Sequence, residues 1–136
     1  KDCEGRYLMV NSTTARILGK SVEEIIGKDD TELLSPEEAR QLIETDRRIM
    51  ATGTSEMLEE VLTIKAGKQP GVRTYLVTKD VYRDREGNTI GLIGIGRDIT
   101  ERKRLEKERS HLLEVQQQLI ARLQQQTIDL VALSAV

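Results

Sequence analysis

Asp46 and Lys79 are the two residues whose types and placement could do chemistry in this sequence. Asp46 falls on a stripe formed by Ala39, Leu42, Ile43, Ile49 and Met50 at helical spacing, and Lys79 on a strand face that otherwise reads apolar or half-buried. Burying either charge alone costs on the order of several kcal/mol, so the two are expected to meet across a helix–sheet interface. Such a pair serves a structural role as readily as a ligand site. Ile43, Ile49, Met50, Tyr75, Val77, Ile93 and Ile95 are expected to line the space around it. That space either takes a small apolar or amphipathic metabolite or is filled by its own side chains, the commoner fate of an aliphatic stripe.

A second cluster closes the strand region. Asp98 and Thr100 can each accept hydrogen bonds from free N–H groups at the start of a helix, and Glu101 stands three residues after Asp98, as in a capping box. Arg102, four residues after Asp98, can pair with it. Asp98, Thr100 and Arg102 are therefore expected to fix the angle between the last strand and the following helix, so that a shift in the sheet becomes a movement of the helix. His111 falls on an exposed helix position and reads as a solvated surface residue. Cys3 has neither a disulfide partner nor activating neighbours. No Ser/His/Asp constellation, metal-ligand cluster or Gly-rich phosphate loop stands in the chain, so no catalytic residue and no metal ligand is assigned.

These residues need elements to position them. Residues 6–10, Arg-Tyr-Leu-Met-Val, read as a strand leaving a hairpin whose partner strand lies mostly before residue 1. Asn11 caps a short helix over 12–18 that stops at Gly19, and Ser21 with Glu24 caps a second that stops at Gly27. One more turn fits 30–34. Ser35-Pro36 opens the longest early helix, which ends at Gly53. The pattern then changes to period two, giving strands at 57–64, 72–82 and 90–99 joined by turns at 65–71 and 84–88. Gly91, Gly94 and Gly96 mark the last strand as a place of bending or close packing. Beyond Thr100 the chain is rich in Glu, Arg, Lys, Gln and Leu without Gly or Pro, the composition of one long helix. Leu105, Leu112, Leu119, Gln126 and Leu133 take heptad position d and Arg109, Gln116, Leu123 and Leu130 position a. The expected dimer seam is Leu105, Leu112, Leu119, Leu123 and Leu130, flanked by Leu113 and Ile120.

The order strand, three short helices, longer helix and three antiparallel strands resembles a PAS domain over nearly all of residues 1–104. The resemblance rests on 2–11, Asp-Cys-Glu-Gly-Arg-Tyr-Leu-Met-Val-Asn, on Leu18-Gly19 with 24–28, Glu-Ile-Ile-Gly-Lys, and above all on 98–102, Asp-Ile-Thr-Glu-Arg. It implies an α+β PAS fold at 1–100, an antiparallel sheet flanked by short helices, with the first strand and its flanking helix missing or only partly present. Residues 101–136 would then be a signalling helix that dimerises as a coiled coil. The resemblance further implies a sensory module of a bacterial signal-transduction protein, in a two-component system with a sensor histidine kinase as the leading parent. The output domain would lie in the same polypeptide, beyond Val136. A structural dimerisation connector with a self-filled core is the other reading. Haem-binding relatives use an axial histidine on the longest early helix, and 35–53 has none. Photoreceptor relatives use a reactive cysteine after the second helix, and 29–34 has none. Haem and flavin are disfavoured on these grounds, leaving no cofactor or an unidentified small metabolite.

Composition sets the outer limits. The 136 residues give room for one domain and an appendage, and 21 basic against 23 acidic residues give a net charge of −2 with no field to attract nucleic acid or an anionic membrane. The basic run Arg102-Lys103-Arg104 is diluted by Glu101, Glu106 and Glu108, and no aromatic residue accompanies it. Three tyrosines are the only aromatic residues, so the core is built from aliphatic side chains. No apolar run approaches the ~20 residues of a membrane span. The expectation is a cytoplasmic segment, a parallel homodimer, without nucleic-acid or membrane contact of its own.

Overall fold

Helix formation follows the capping signals closely. In the computed structural model, which describes residues 1–65 and 70–135, α1 (Ser12–Leu18) begins where the Asn11 side chain accepts the Thr14 N–H. α2 (Val22–Ile25) and α3 (Asp30–Leu33) are single turns, each held by a reciprocal capping box, Ser21 with Glu24 and Asp29 with Glu32. α4 (Pro36–Thr52) starts at Ser35, with proline in its first turn, and ends at Gly53. Gly53 has φ 66°, a left-handed conformation that turns its N–H back onto the Ile49 carbonyl. The buried residues of α4 are Ala39, Leu42, Asp46 and Ile49, the spacing of one helix face.

β1 (Glu56–Ile64), β2 (Gly71–Arg83) and β3 (Thr89–Asp98) form an antiparallel sheet in sequence order. Leu58 pairs with Val77 and Val77 with Gly96, while Lys79 pairs with Gly94 and Val81 with Leu92. Directly paired residues share a face, so one face carries Leu58, Glu60, Val77, Lys79, Gly94 and Gly96, and the other Met57, Val61, Thr78, Ile93 and Ile95. The turn after β2 is organised by Asp84, whose carboxylate accepts the main-chain N–H groups of Glu86 and Asn88. The turn expected at 65–71 falls at 66–69 outside the described residues, as does Val136.

The core joins the helices to the first of these faces. Ala15, Ile25, Ala39, Leu42 and Ile49 are buried with Ile64, Tyr75, Val77, Leu92 and Ile99. Two polar tethers fix α4 to the sheet margin. The Glu38 carboxylate accepts the Thr63 N–H at 2.7 Å, and Arg48 grips Glu56 through two N–H groups.

Residues 6–10 do not form the expected strand. The N–H of Tyr7 donates to the Lys28 carbonyl and its own carbonyl accepts from Gly27, so the loop between α2 and α3 takes the groups a sheet neighbour would need. Leu8 and Met9 are exposed. This end of the chain meets the edge of β3 at the bridge of Asp2 with Gly91 and through Lys1, whose main-chain nitrogen donates to the Leu92 carbonyl at 2.8 Å and whose carbonyl accepts the Leu92 N–H at 2.9 Å.

The chain divides into two units, Lys1–Ile99 and Thr100–Val136. The second contains α5 (Thr100–Ser134), a single helix of 35 residues with none buried. Its first turns carry ion pairs of Arg104 with Glu101 and Glu108 and of Arg102 with Glu106.

Candidate functional site

Among the described residues three charged side chains are almost completely withdrawn from solvent, Asp30 at 1%, Asp46 at 3% and Lys79 at 4% exposure. Each is placed by an ordinary local rule. Asp46 lies on the buried face of α4 between Leu42 and Ile49. Lys79 follows Tyr75 and Val77 at period two along β2. Asp30 opens α3, where a carboxylate faces the positive end of the peptide dipoles.

Lys79 Nζ donates to Asp46 Oδ1 at 2.7 Å, so the expected helix–sheet pair is present. The same ammonium lies 2.5 Å from Glu60 Oε1 on β1. Asp46 Oδ2 accepts from Lys1 Nζ at 2.8 Å, and Lys1 Nζ also reaches Asp30 Oδ2 at 2.5 Å. Asp30 Oδ1 in turn accepts the Tyr7 hydroxyl at 2.9 Å, and the Tyr7 ring lies beneath the Lys1 ammonium, 4.8 Å from nitrogen to centroid. The result is a continuous chain, Tyr7 to Asp30 to Lys1 to Asp46 to Lys79 to Glu60, in which each ammonium bridges two carboxylates. The charge-assisted hydrogen bonds among them satisfy groups that burial would otherwise penalise, whereas the last link is an ion pair, the buried Glu60 Oε1 accepting no hydrogen bond among the described residues.

The protonation states follow from the surroundings. Burial acts against the charged form of Lys1, but attraction to Asp30 and Asp46 outweighs it and holds the side-chain pKa above its ordinary value. Burial, then the neighbouring Asp30 charge, pushes the Tyr7 phenol well above the ordinary tyrosine value. Both donors therefore keep their protons at neutral pH. The arrangement is suited to holding positive charge rather than to transferring protons.

The other sequence-selected residues divide. Ile49, Tyr75 and Val77 are buried and Ile43 and Met50 half-buried. Ile93 and Ile95 do not line this space: they are 48% and 72% exposed and lie on the opposite sheet face from Lys79. Strand pairing decides the matter, since Gly94 and Gly96 are the residues set opposite Lys79 and Val77. Asp98 accepts both Nε and Nη2 of Arg73 on its Oδ2, at 2.9 and 2.7 Å, which anchors the end of β3 to β2. Ile99 continues this anchorage through its N–H, bonded to the Thr74 carbonyl. Arg102 pairs with Glu106. Leu105, Leu112, Leu119, Leu123 and Leu130 are all exposed on α5.

Four members of the network, Lys1, Tyr7, Asp30 and Glu60, were not singled out by the sequence. Glu60 was open to detection, because it alternates with Leu58, Leu62 and Ile64 and therefore shares their face. Asp30 and Lys1 sit among polar neighbours, where nothing local marks a buried charge.

Comparison with known proteins identifies the family of the fold. The family profile described as "PAS fold" matches residues 1–104. The aerobic respiration control sensor protein ArcB of Escherichia coli is 35% identical over 94 residues, 69% of this chain and 12% of ArcB. The methanogenesis regulatory histidine kinase FilI of Methanothrix harundinacea is 31% identical over 103 residues, 76% of this chain and 11% of FilI. The chain thus spans only a small part of these relatives. Among solved structures, a Vibrio cholerae VqmA dimer in the absence of target DNA superposes with a TM-score of 0.66 at 27% identity, covering 74% of this chain and 44% of VqmA.

Proposed function

The chain belongs to the PAS-fold family, and from that premise we propose that it is the sensory module of a bacterial signal-transduction protein, with a sensor histidine kinase as the leading parent. It senses through the space between α4 and the sheet and passes the signal through Asp98, Thr100 and Arg102 into α5, which pairs with α5 of a second copy in parallel. The output domain lies in the same polypeptide. The reading assigns it no haem, flavin, nucleic acid or membrane contact of its own, a small metabolite as signal, and a cytoplasmic setting. Among the described residues no helix is long and apolar enough to cross a membrane.

The observation that carries this reading is the position of the family match. It runs through the last strand and five residues into α5, and the two sensor-kinase relatives match 94 and 103 residues of the chain. The apolar seam of α5 supports the dimer, since five exposed leucines at heptad spacing on one helix are rarely left in water.

A second reading is favoured by the charge network, whose side chains take up the space between α4 and the sheet. In it the domain is a connector that sets the register of the coil and binds nothing. Native mass spectrometry of the purified chain separates the two. A dimer with a reproducible extra mass, lost on denaturation, supports sensing; a dimer without one supports the connector; a monomer at micromolar concentration removes the proposed pairing of α5 from both.

A further inference from the structure

The sheet face that does not carry Lys79 is apolar and open. The buried apolar side chains of the strands, Ile64, Tyr75, Val77 and Leu92, all lie on the face toward the helices. Strand alternation puts Met57, Val61, Leu76, Ile93 and Ile95 on the other face, where Met57 is 68% and Ile95 72% exposed. A contiguous apolar patch on a sheet is seldom left in water, and most often marks a surface that another chain covers.

The charges on this face say what covers it. Glu59 pairs with Leu76 and Leu76 with Arg97, so acid, leucine and base form one row across the three strands; Met57, Thr78 and Ile95 form the adjacent row. A twofold axis along β2, in the plane between two such faces, sets β1 of one copy against β3 of the other. It brings Glu59 against Arg97 and Met57 against Ile95, twice each, while Leu76 and Thr78 meet their own counterparts. An axis across the strands through the same row sets Glu59 against Glu59 and Arg97 against Arg97, which like-charge repulsion opposes. The charge pattern thus selects the first operator. That operator also keeps the two β3 strands running in one direction, as parallel pairing of α5 requires. Asp80, on the same face, lies beyond the end of β1, and its carboxylate accepts the Val81 N–H. Strands about 4.8 Å apart and a few rows long cover only a few hundred Å² per copy, less than the roughly 800 Å² of a standard interface. The contact therefore adds to the pairing of α5 and does not replace it.

We propose that the outer sheet face is a self-association surface, closed by the same face of a second copy of this chain with Glu59 of each copy opposite Arg97 of the other. This rests on the dimer of the proposed function and adds to it a contact between the two sensory units themselves. Met57 and Ile95 are withdrawn from water together, and the two ion pairs fix the register in which the sheets meet.

The test mixes two variants of the whole chain, Glu59→Arg and Arg97→Glu, and reads the dimers by native mass spectrometry, which separates them by mass. Each variant paired with itself sets like charges together at both positions, whereas a mixed pair sets opposite charges there. The contribution of α5 is the same in every pair, and so is any ion pair within one chain, so neither produces a preference. The expected result is a ratio of mixed to matched dimers about tenfold above random assortment, with the double variant Glu59→Arg/Arg97→Glu returning to the dimer affinity of the parent. Mixed dimers at the random proportion overturn the proposal and leave the pairing of α5 standing. A parent chain that is monomeric at micromolar concentration overturns both. Where either charge reversal disturbs the fold, Ile95→Thr, which a strand accepts readily, answers in its place: its dimer dissociation constant is expected to rise about tenfold, and an unchanged constant overturns the contact.

Discussion

Gly91 and Lys1 meet backbone to backbone: a methyl group on Gly91 would lie 2.2 Å from the Lys1 carbonyl oxygen. No side-chain rotation relieves such a contact. Gly91→Ala is therefore expected to push Lys1 off the edge of β3, lowering stability by about 1–3 kcal/mol and speeding hydrogen exchange at the Leu92 amide. Gly96→Ala is the control, since its added methyl would meet Val77 at an ordinary 3.5 Å. Equal behaviour of the two variants would show that the contact at Gly91 does not hold Lys1.

The charge network predicts an unequal response to its members. Lys79 is the cation paired with Glu60 among the described residues, so Lys79→Met strands that carboxylate in a largely buried position. The expected loss is about 3–5 kcal/mol. Asp46→Asn leaves Lys79 with Glu60 and Lys1 with Asp30 and is expected to cost less. The double variant Lys79→Met/Glu60→Leu should regain part of the loss of the single one. Urea midpoints at unchanged slope are the measurement, and a Lys79→Met loss no greater than that of Asp46→Asn would contradict the pairing scheme.

Glu38 predicts the acid response. Burial acts to raise its pKa, but the Thr63 N–H and the neighbouring Ser35 outweigh this, and the folded value lies below the ordinary one. A carboxylate so depressed stabilises the fold fully above its unfolded pKa, about 4.3, and loses that contribution as pH falls through the folded value. Glu38→Gln should therefore flatten the fall of stability below about pH 4.3. A titration of Tm for parent and variant with identical slopes would place the acid sensitivity elsewhere.

The bond from Arg73 to Asp98 predicts a separation of signalling from folding. Both side chains are partly exposed, so either alanine substitution is expected to cost about 1 kcal/mol or less. If the proposed transmission through this joint holds, the same changes made in the whole signalling protein are expected to abolish the response to signal. A response that survives Asp98→Ala would count against transmission through this joint.

Most of the helix boundaries were legible because each carries its own chemical punctuation, such as Asn11 and Gly19 around α1 or Ser35, Pro36 and Gly53 around α4. The strands were legible from their period, and Asp46 with Lys79 from the anomaly of charge on an apolar face. The phase of β3 was misread for a physical reason. Its isoleucines alternate with glycines, and hydrophobicity assigns Ile93 and Ile95 to the interior, whereas pairing with β2 puts the glycines there. Lys1, Tyr7 and Asp30 become site residues only through contacts between distant segments, which no local pattern encodes. The expected strand at 6–10 failed similarly, its main-chain groups being taken by Gly27 and Lys28.

The charge network also bears on how the domain comes apart. Its six residues are drawn from the chain start, α3, α4, β1 and β2, spanning positions 1 to 79. A partly opened state that releases any one of these segments leaves an ammonium or a carboxylate buried without its counterpart, and so lies at high free energy. The helices and strands that meet there are thereby coupled into one cooperative unit, whose opening is expected to be all-or-none even though α3 is only a single turn long.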